Sequence, residues 1–130
     1  MWALGRGQSL AVTPADAADF NALCEYLLRL GRVVVLIDEA SFWITARGSK
    51  GSVLPKLMRL GQQQRVALHL TTQHLTGDLP QLAVSCAPEL CVFRCTSRTV
   101  LAALEKDWGM DPEVVRKLLR GQYLRAKTGF

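Results

Sequence analysis

The stretch Arg32-Val33-Val34-Val35-Leu36-Ile37-Asp38-Glu39-Ala40 decides how the rest of the chain is read. Its apolar run, β-branched at Val33, Val34, Val35 and Ile37, ends on two adjacent carboxylates. A short continuous apolar run predicts a strand buried on both faces, as in a parallel sheet. Open α/β sheets bind ligands at the carboxyl ends of their strands, which is where Asp38 and Glu39 fall. Desolvating two carboxylates there is costly unless a cation or polar partner compensates. Two readings stand at this point. The acids are a solvated strand end, or Asp38 holds a Mg²⁺-nucleotide through water while Glu39 polarises the attacking water.

The full chain has 130 residues, within the range of one domain, and residues 1–130 are read as a single domain. A hydrophobic content of 49% supports a core, and a charged content of 21% argues against disorder. No apolar stretch approaches the roughly 18–20 residues of a membrane span. The opening residues, Met1 to Arg6, lack the apolar region of a signal peptide, so the expected location is the cytoplasm. A net charge of +5 and a pI of about 9.3 favour a polyanionic partner such as nucleic acid. The positive residues are nevertheless spread along the chain, as on a solvated surface. Cys24, Cys86, Cys91 and Cys95 form no CxxC pair, and with His69 and His74 they match no common zinc spacing. They read as small buried thiols in a reducing compartment.

Working outward from the central stretch, Leu10 to Val12 predicts a short strand. Thr13-Pro14-Ala15-Asp16 then starts a helix, with Thr13 as cap and Pro14 in the first turn. Phe20, Leu23, Leu27 and Leu30 give that helix its apolar face, and Gly31 ends it. Beyond Glu39, the segment from Ser41 to Ser52 becomes glycine-rich and basic in its second half and reads as a loop, with Arg47 and Lys50 able to meet a phosphate backbone. Trp43 reads as core. A helix follows from Val53 to Gly61, then a second strand, Val66 to Thr72, ending at Gln73. If the two strands are neighbours, Gln73 lies level with Asp38 and Glu39, and its amide can both donate to a phosphate oxygen and accept from water. Further on come a possible short helix at Leu82 to Ser85 and a third strand at Leu90 to Arg94. A helix capped by Ser97 runs to Trp108, and a second starts at Asp111-Pro112 and runs to Leu119. The last strand is Gln122 to Ala126. The alternation predicts an α/β fold with a mostly parallel sheet and flanking helices. Right-handed crossovers then bring the loops after Ile37 and Thr72 to one edge.

In this order VVVLIDEA, RVALHLTTQ, ELCVFRC and LLRGQYL resemble the FtsK–HerA superfamily of P-loop ATPases, pumps that translocate DNA or package viral genomes. The resemblance covers Val33 to Leu124 and implies a partial P-loop NTPase core of the RecA/ASCE-like type. It implies that Asp38 is the Walker B acid that binds Mg²⁺ through water, and that Glu39 is the catalytic base. Thr72 would join Asp38 at the ATP site, and Gln73 would be the glutamine sensor. The family's Gly-Arg pair, whose arginine acts on a neighbouring subunit, reads Gly61-Gln62 here, which leaves Arg59 or Arg65 as substitutes. The implied partners are ATP, DNA, and further copies in a ring or a chain that carries the phosphate loop.

One departure stands out. No GxxxxGK[ST] phosphate loop occurs, and Gly5-Arg6-Gly7-Gln8-Ser9 lacks the lysine and hydroxyl of that motif. The expectation is a fragment, one part of a split motor, or a degenerate relative acting as a scaffold or DNA-binding module. Backbone amides and the lysine supply much of the phosphate contact, so this chain alone is expected to bind ATP poorly.

Overall fold

The computed structural model describes residues 7–43, 53–74 and 86–127. Their elements, in order, are α1 (Ala17–Leu30), β1 (Val33–Ile37), α2 (Ala40–Trp43), α3 (Leu54–Leu60), β2 (Val66–Leu70), β3 (Glu89–Phe93), α4 (Arg98–Trp108), α5 (Pro112–Lys117) and β4 (Tyr123–Lys127). The expected loop basic residues Arg47 and Lys50, and the short helix at Leu82 to Ser85, lie outside the described residues.

The central stretch forms β1 and pairs in parallel with β2, in a register that sets Val33 against Val66 and Ile37 against Leu70. Side chains alternate across a strand. Val33, Val35 and Ile37 therefore share one face with Val66, Leu68 and Leu70. That face packs on Phe20, Cys24 and Leu28 of α1 and on Leu54 and Leu57 of α3. Trp43 closes the edge of this core, its ring stacked on Phe20 at 4.2 Å and 7°.

The opposite face corrects the expectation of a strand buried on both sides. Val34 is 64% exposed and Leu36 is 78% exposed. The composition of the run is that of a buried strand, yet α1 and α3 both pack on its other face.

The expected mostly parallel sheet is met only in part among the described residues, by the parallel pair β1–β2. Among the described residues, β3 and β4 form a separate antiparallel pair, with Phe93 opposite Tyr123 and Glu89 opposite Lys127. A single crossover helix would return the chain for a parallel strand. Here two helices intervene, and they deliver the start of β4 to the end of β3. This ribbon has its own core, formed by Val100, Leu101 and Leu104 of α4 with Met110 and Val115, on which Leu90, Val92, Leu124 and Ala126 pack.

Smaller differences have local causes. Leu10 to Val12 forms no strand, since no neighbouring strand pairs with it among the described residues. The cap of α1 is Asp16 rather than Thr13. The Asp16 carboxylate accepts the Asp19 N–H at 2.8 Å, and the Asp19 carboxylate accepts the Ala15 N–H at 2.9 Å, a reciprocal arrangement that fixes the start. Ser97 caps α4 as expected. Helix α5 stops at Lys117, two residues early, because Leu118 turns to an extended conformation. Gly31 ends α1 with φ 61 and ψ 175 and leads straight into β1. Cys24 is buried as expected, but Cys91 is exposed, because the strand alternation that buries Leu90 and Val92 turns Cys91 outward.

Candidate functional site

The parallel ladder runs past the ends of the two strands and builds the site. The Thr71 N–H donates to the Ile37 carbonyl at 3.0 Å, and the Ala40 N–H donates to the Thr71 carbonyl at 2.8 Å. These bonds hold Thr71 alongside Asp38 and Glu39. The Thr71 hydroxyl donates to the Asp38 carboxylate. It also accepts the Glu39 N–H at 3.3 Å. One residue along, the Thr72 hydroxyl lies 2.9 Å from Glu39 Oε1 as donor. Two consecutive acids at the end of β1 thus meet two consecutive threonines after β2, one hydroxyl each.

Glu39 is the most constrained of these residues. Its φ of 52° lies in the left-handed region, unusual for a side chain other than glycine. Its carboxylate accepts from Ser41 Oγ at 2.6 Å, from Thr72, and from the Gln73 N–H at 3.2 Å to each oxygen. The Ser41 hydrogen bond, then that of Thr72, lowers its pKa from the ordinary carboxylate value. The Gln73 N–H and the nearby His74 add to the lowering, and desolvation opposes it. Glu39 is therefore a carboxylate at neutral pH, able to accept a proton or orient water.

Asp38, Glu39, Thr72 and Gln73 are brought together. Gln73 joins the cluster through its backbone N–H, while its side chain is exposed. Arg59 and Arg65 are not part of it. Arg59 lies in the last turn of α3, and Arg65 precedes Val66, at the opposite end of β2 from the acids. Five strand residues at roughly 3.3 Å each separate Arg65 from the acidic end. Both arginines are exposed, so any role they have is directed outward from this cluster.

Sequence reasoning did not single out Ser41 or Thr71. In the sequence the TTQ string points to its last two residues, and Ser41 reads as the start of a loop. The available signal was two hydroxyl residues at the end of the strand facing an acidic doublet.

Among the described residues no group of three or more His, Cys, Asp or Glu is placed to hold a metal ion. A fully protein-built metal cage is therefore not formed by them. Mg²⁺ needs less, since it is commonly held by one or two carboxylates and completes its octahedron with water and substrate phosphates. The exposed Asp38 carboxylate, a hard oxygen donor oriented by Thr71, fits that requirement. No helix among the described residues is long and apolar enough to cross a membrane.

Against this geometry the comparisons with known proteins are informative. Solved structures of the genome packaging NTPase B204 from Sulfolobus turreted icosahedral virus 2 superpose on the chain. The complex with AMP does so with a TM-score of 0.70 at 18% identity, over 84% of this chain and 56% of that one. The chain shares its fold with part of that NTPase. The complex with AMPPCP gives a TM-score of 0.71 at 19% identity, over 87% of this chain and 60% of that one. The complex with ATP-gammaS gives 0.64 at 19% identity, over 77% and 49%. The chain thus spans about half the length of these neighbours. No family model matches, and no curated protein matches. The likeness to these NTPase structures is one of fold, over 77–87% of this chain.

Proposed function

We propose that this chain is the ATPase segment of a DNA-translocating or genome-packaging motor of the FtsK–HerA type, folded as one domain. The observation that carries the reading is the convergence of Asp38, Glu39 and Gln73 at the ends of two paired parallel strands, in a chain that shares its fold with part of a packaging NTPase. The B204 neighbours were solved with AMP, ATP-gammaS and AMPPCP, which supports ATP as the ligand.

In this reading Asp38, held by Thr71, is the Walker B acid and binds Mg²⁺ through water. The metal ion, when bound, neutralises charge on the β- and γ-phosphates. Glu39 accepts a proton from the attacking water, and its ionised state suits that task. Thr72 lies at the ATP site. Gln73 reports the γ-phosphate through its exposed amide. Phosphate-loop residues from outside this sequence, upstream of it or on a partner chain, complete the site. Arg59 or Arg65 reaches toward a neighbouring subunit in a ring. DNA is the polyanion that the positive charge of the chain favours. The location is the cytoplasm, or the virion if the source is a virus such as a phage.

The test is Glu39→Gln in the protein together with its phosphate loop. Hydrolysis should be abolished and nucleotide binding retained. Full turnover in that variant eliminates the role given to Glu39.

A second reading has its own support, the absence of any GK[ST] from the sequence. In it the chain is a degenerate, non-catalytic ATPase-fold module that serves as a scaffold or a DNA-binding subunit. It predicts no ATP-dependent change in melting temperature, together with DNA binding that weakens steeply with salt. Salt-insensitive or absent DNA binding counts against it.

A further inference from the structure

We infer that Ser41 and Thr72 are positioning residues which anchor one oxygen of Glu39 and leave the other free to face the reacting water. This rests on the reading of Glu39 as the base. The geometry is uneven between the two carboxylate oxygens. Oε1 receives Ser41 Oγ at 2.6 Å, Thr72 Oγ1 at 2.9 Å and the Gln73 N–H at 3.2 Å. Among the described residues, Oε2 receives only the Gln73 N–H, at 3.2 Å. An ionised carboxylate offers about two lone-pair sites per oxygen. Oε1 is therefore filled by protein donors, while Oε2 keeps accepting capacity. The donors come from two separate segments, Ser41 from α2 and the other two from the turn after β2. The carboxylate is consequently fixed in rotation as well as in position.

The two hydroxyls are not equivalent. The Thr72 hydroxyl has one proton and two acceptors within reach, Glu39 Oε1 and the His74 carbonyl at 2.8 Å. Donation to one excludes donation to the other. The His74 N–H donates to the same hydroxyl oxygen at 3.1 Å, which keeps that oxygen in place whichever acceptor holds the proton. Ser41, by contrast, has Glu39 as its acceptor among the described residues. Ser41 is thus the constant hold on Glu39 and Thr72 the exchangeable one. The turn that carries Gln73 and His74 is coupled to the orientation of Glu39 through the single proton of Thr72.

The experiment has a ligand-free arm and a kinetic arm. In the 130-residue chain without nucleotide, NMR follows the carboxyl carbon resonance of Glu39 and hydrogen exchange at the Gln73 amide. Ser41→Ala and Thr72→Val should each shift that resonance and speed exchange at Gln73 by roughly tenfold, the scale of one lost hydrogen bond. Thr72→Ser, which restores the hydroxyl, should return both to the parent values. In protein that turns over ATP, both variants should lower kcat by roughly 10–100-fold, and Ser41→Ala, which lies outside the ATP contacts, should change KM by less than about twofold, the mark of a misdirected group rather than of lost binding. Thr72→Ser should again rescue. An unmoved Glu39 resonance and unchanged Gln73 exchange in both variants overturn the anchoring. Parent-like kcat in both, beside an inactive Glu39→Gln, overturns the positioning role while the ATPase reading survives. Full turnover in Glu39→Gln instead removes the base on which the inference rests, a failure the ligand-free arm does not share.

Discussion

Replacing Gly31 with alanine tests how β1 is seated, because the reasons for glycine there are two and separable. The first is conformational. Gly31 has φ 61 and ψ 175, a region open essentially to glycine alone. Placing a Cβ in it costs about 1–3 kcal/mol. The second reason is steric. A Cβ at Gly31 would lie 2.7 Å from the Gln64 carbonyl oxygen, a backbone atom that cannot swing aside. That oxygen also accepts the Arg32 N–H at 3.1 Å, so relieving the clash disturbs the entry to both parallel strands. Overpacking of this kind costs about 1–3 kcal/mol, and the two effects together give about 2–6 kcal/mol for Gly31→Ala. Gly109 is the control. It too has positive φ, 64, but with ψ 25 it is left-handed helical, and a Cβ there meets nothing within 4 Å. Gly109→Ala should cost about 1 kcal/mol. Gly109→Asn should cost only a few tenths, since asparagine tolerates this conformation, whereas Gly31→Asn should be as damaging as Gly31→Ala. Urea unfolding at constant m reads these differences as shifts in midpoint. Thermal melts should show about 3–5 °C per kcal/mol for a chain of this length. Equal losses at the two glycines, within about 0.5 kcal/mol, would refute the argument from the Gln64 carbonyl.

Four further outcomes are expected. Leu57→Ala, at a fully buried position, should cost about 2–5 kcal/mol in urea unfolding. Leu36→Ala, at a position 78% exposed, should change stability by less than about 0.5 kcal/mol, and a large loss there would mean the outer face of β1 is covered. A thiol reagent at pH 8 should label exposed Cys91 quickly and Cys24 only as the protein opens. Burial, followed by the charge of Glu25, pushes the Cys24 thiol up to about 12, and rapid labelling of Cys24 in the folded chain would contradict that. The hydrogen bond from Arg125, 2.5 Å from Glu89, holds the Glu89 pKa below the ordinary value of 4.5. A depressed carboxylate contributes stability above its unfolded-state pKa and loses it as pH falls through the folded-state value. Glu89→Gln should therefore flatten the acid side of a stability–pH curve below about 4.5 and leave its shape at neutral pH unchanged. An unchanged acid limb would show that the pair contributes nothing measurable.

The periodicity and end signals of the chain were enough to locate β1, β2, α3 and α4, because each depends on near neighbours in sequence. An apolar run ending in acids, a glycine after Leu30 and a serine before Arg98 act within a turn or two. The same locality made Asp38, Glu39 and Gln73 legible as a group once two strands were assumed to be adjacent. Local signals do not say how many faces of a strand will be covered. That depends on where α1 and α3 pack, and Val34 and Leu36 have the composition of buried residues yet face outward. Nor does strand propensity carry direction, so the antiparallel pairing of β3 with β4 emerged only from the path of two intervening helices. The partners of Glu39 belong to the same class. Ser41 is two residues away and Thr72 is 33 residues away, and a hydroxyl in a sequence does not announce which acid it will meet. The sequence by itself determined the principal helices and strands and which acids end the first strand. The tertiary structure decided their direction, their exposed face and the hydrogen bonds on Glu39, because those are set by contacts between residues distant in sequence.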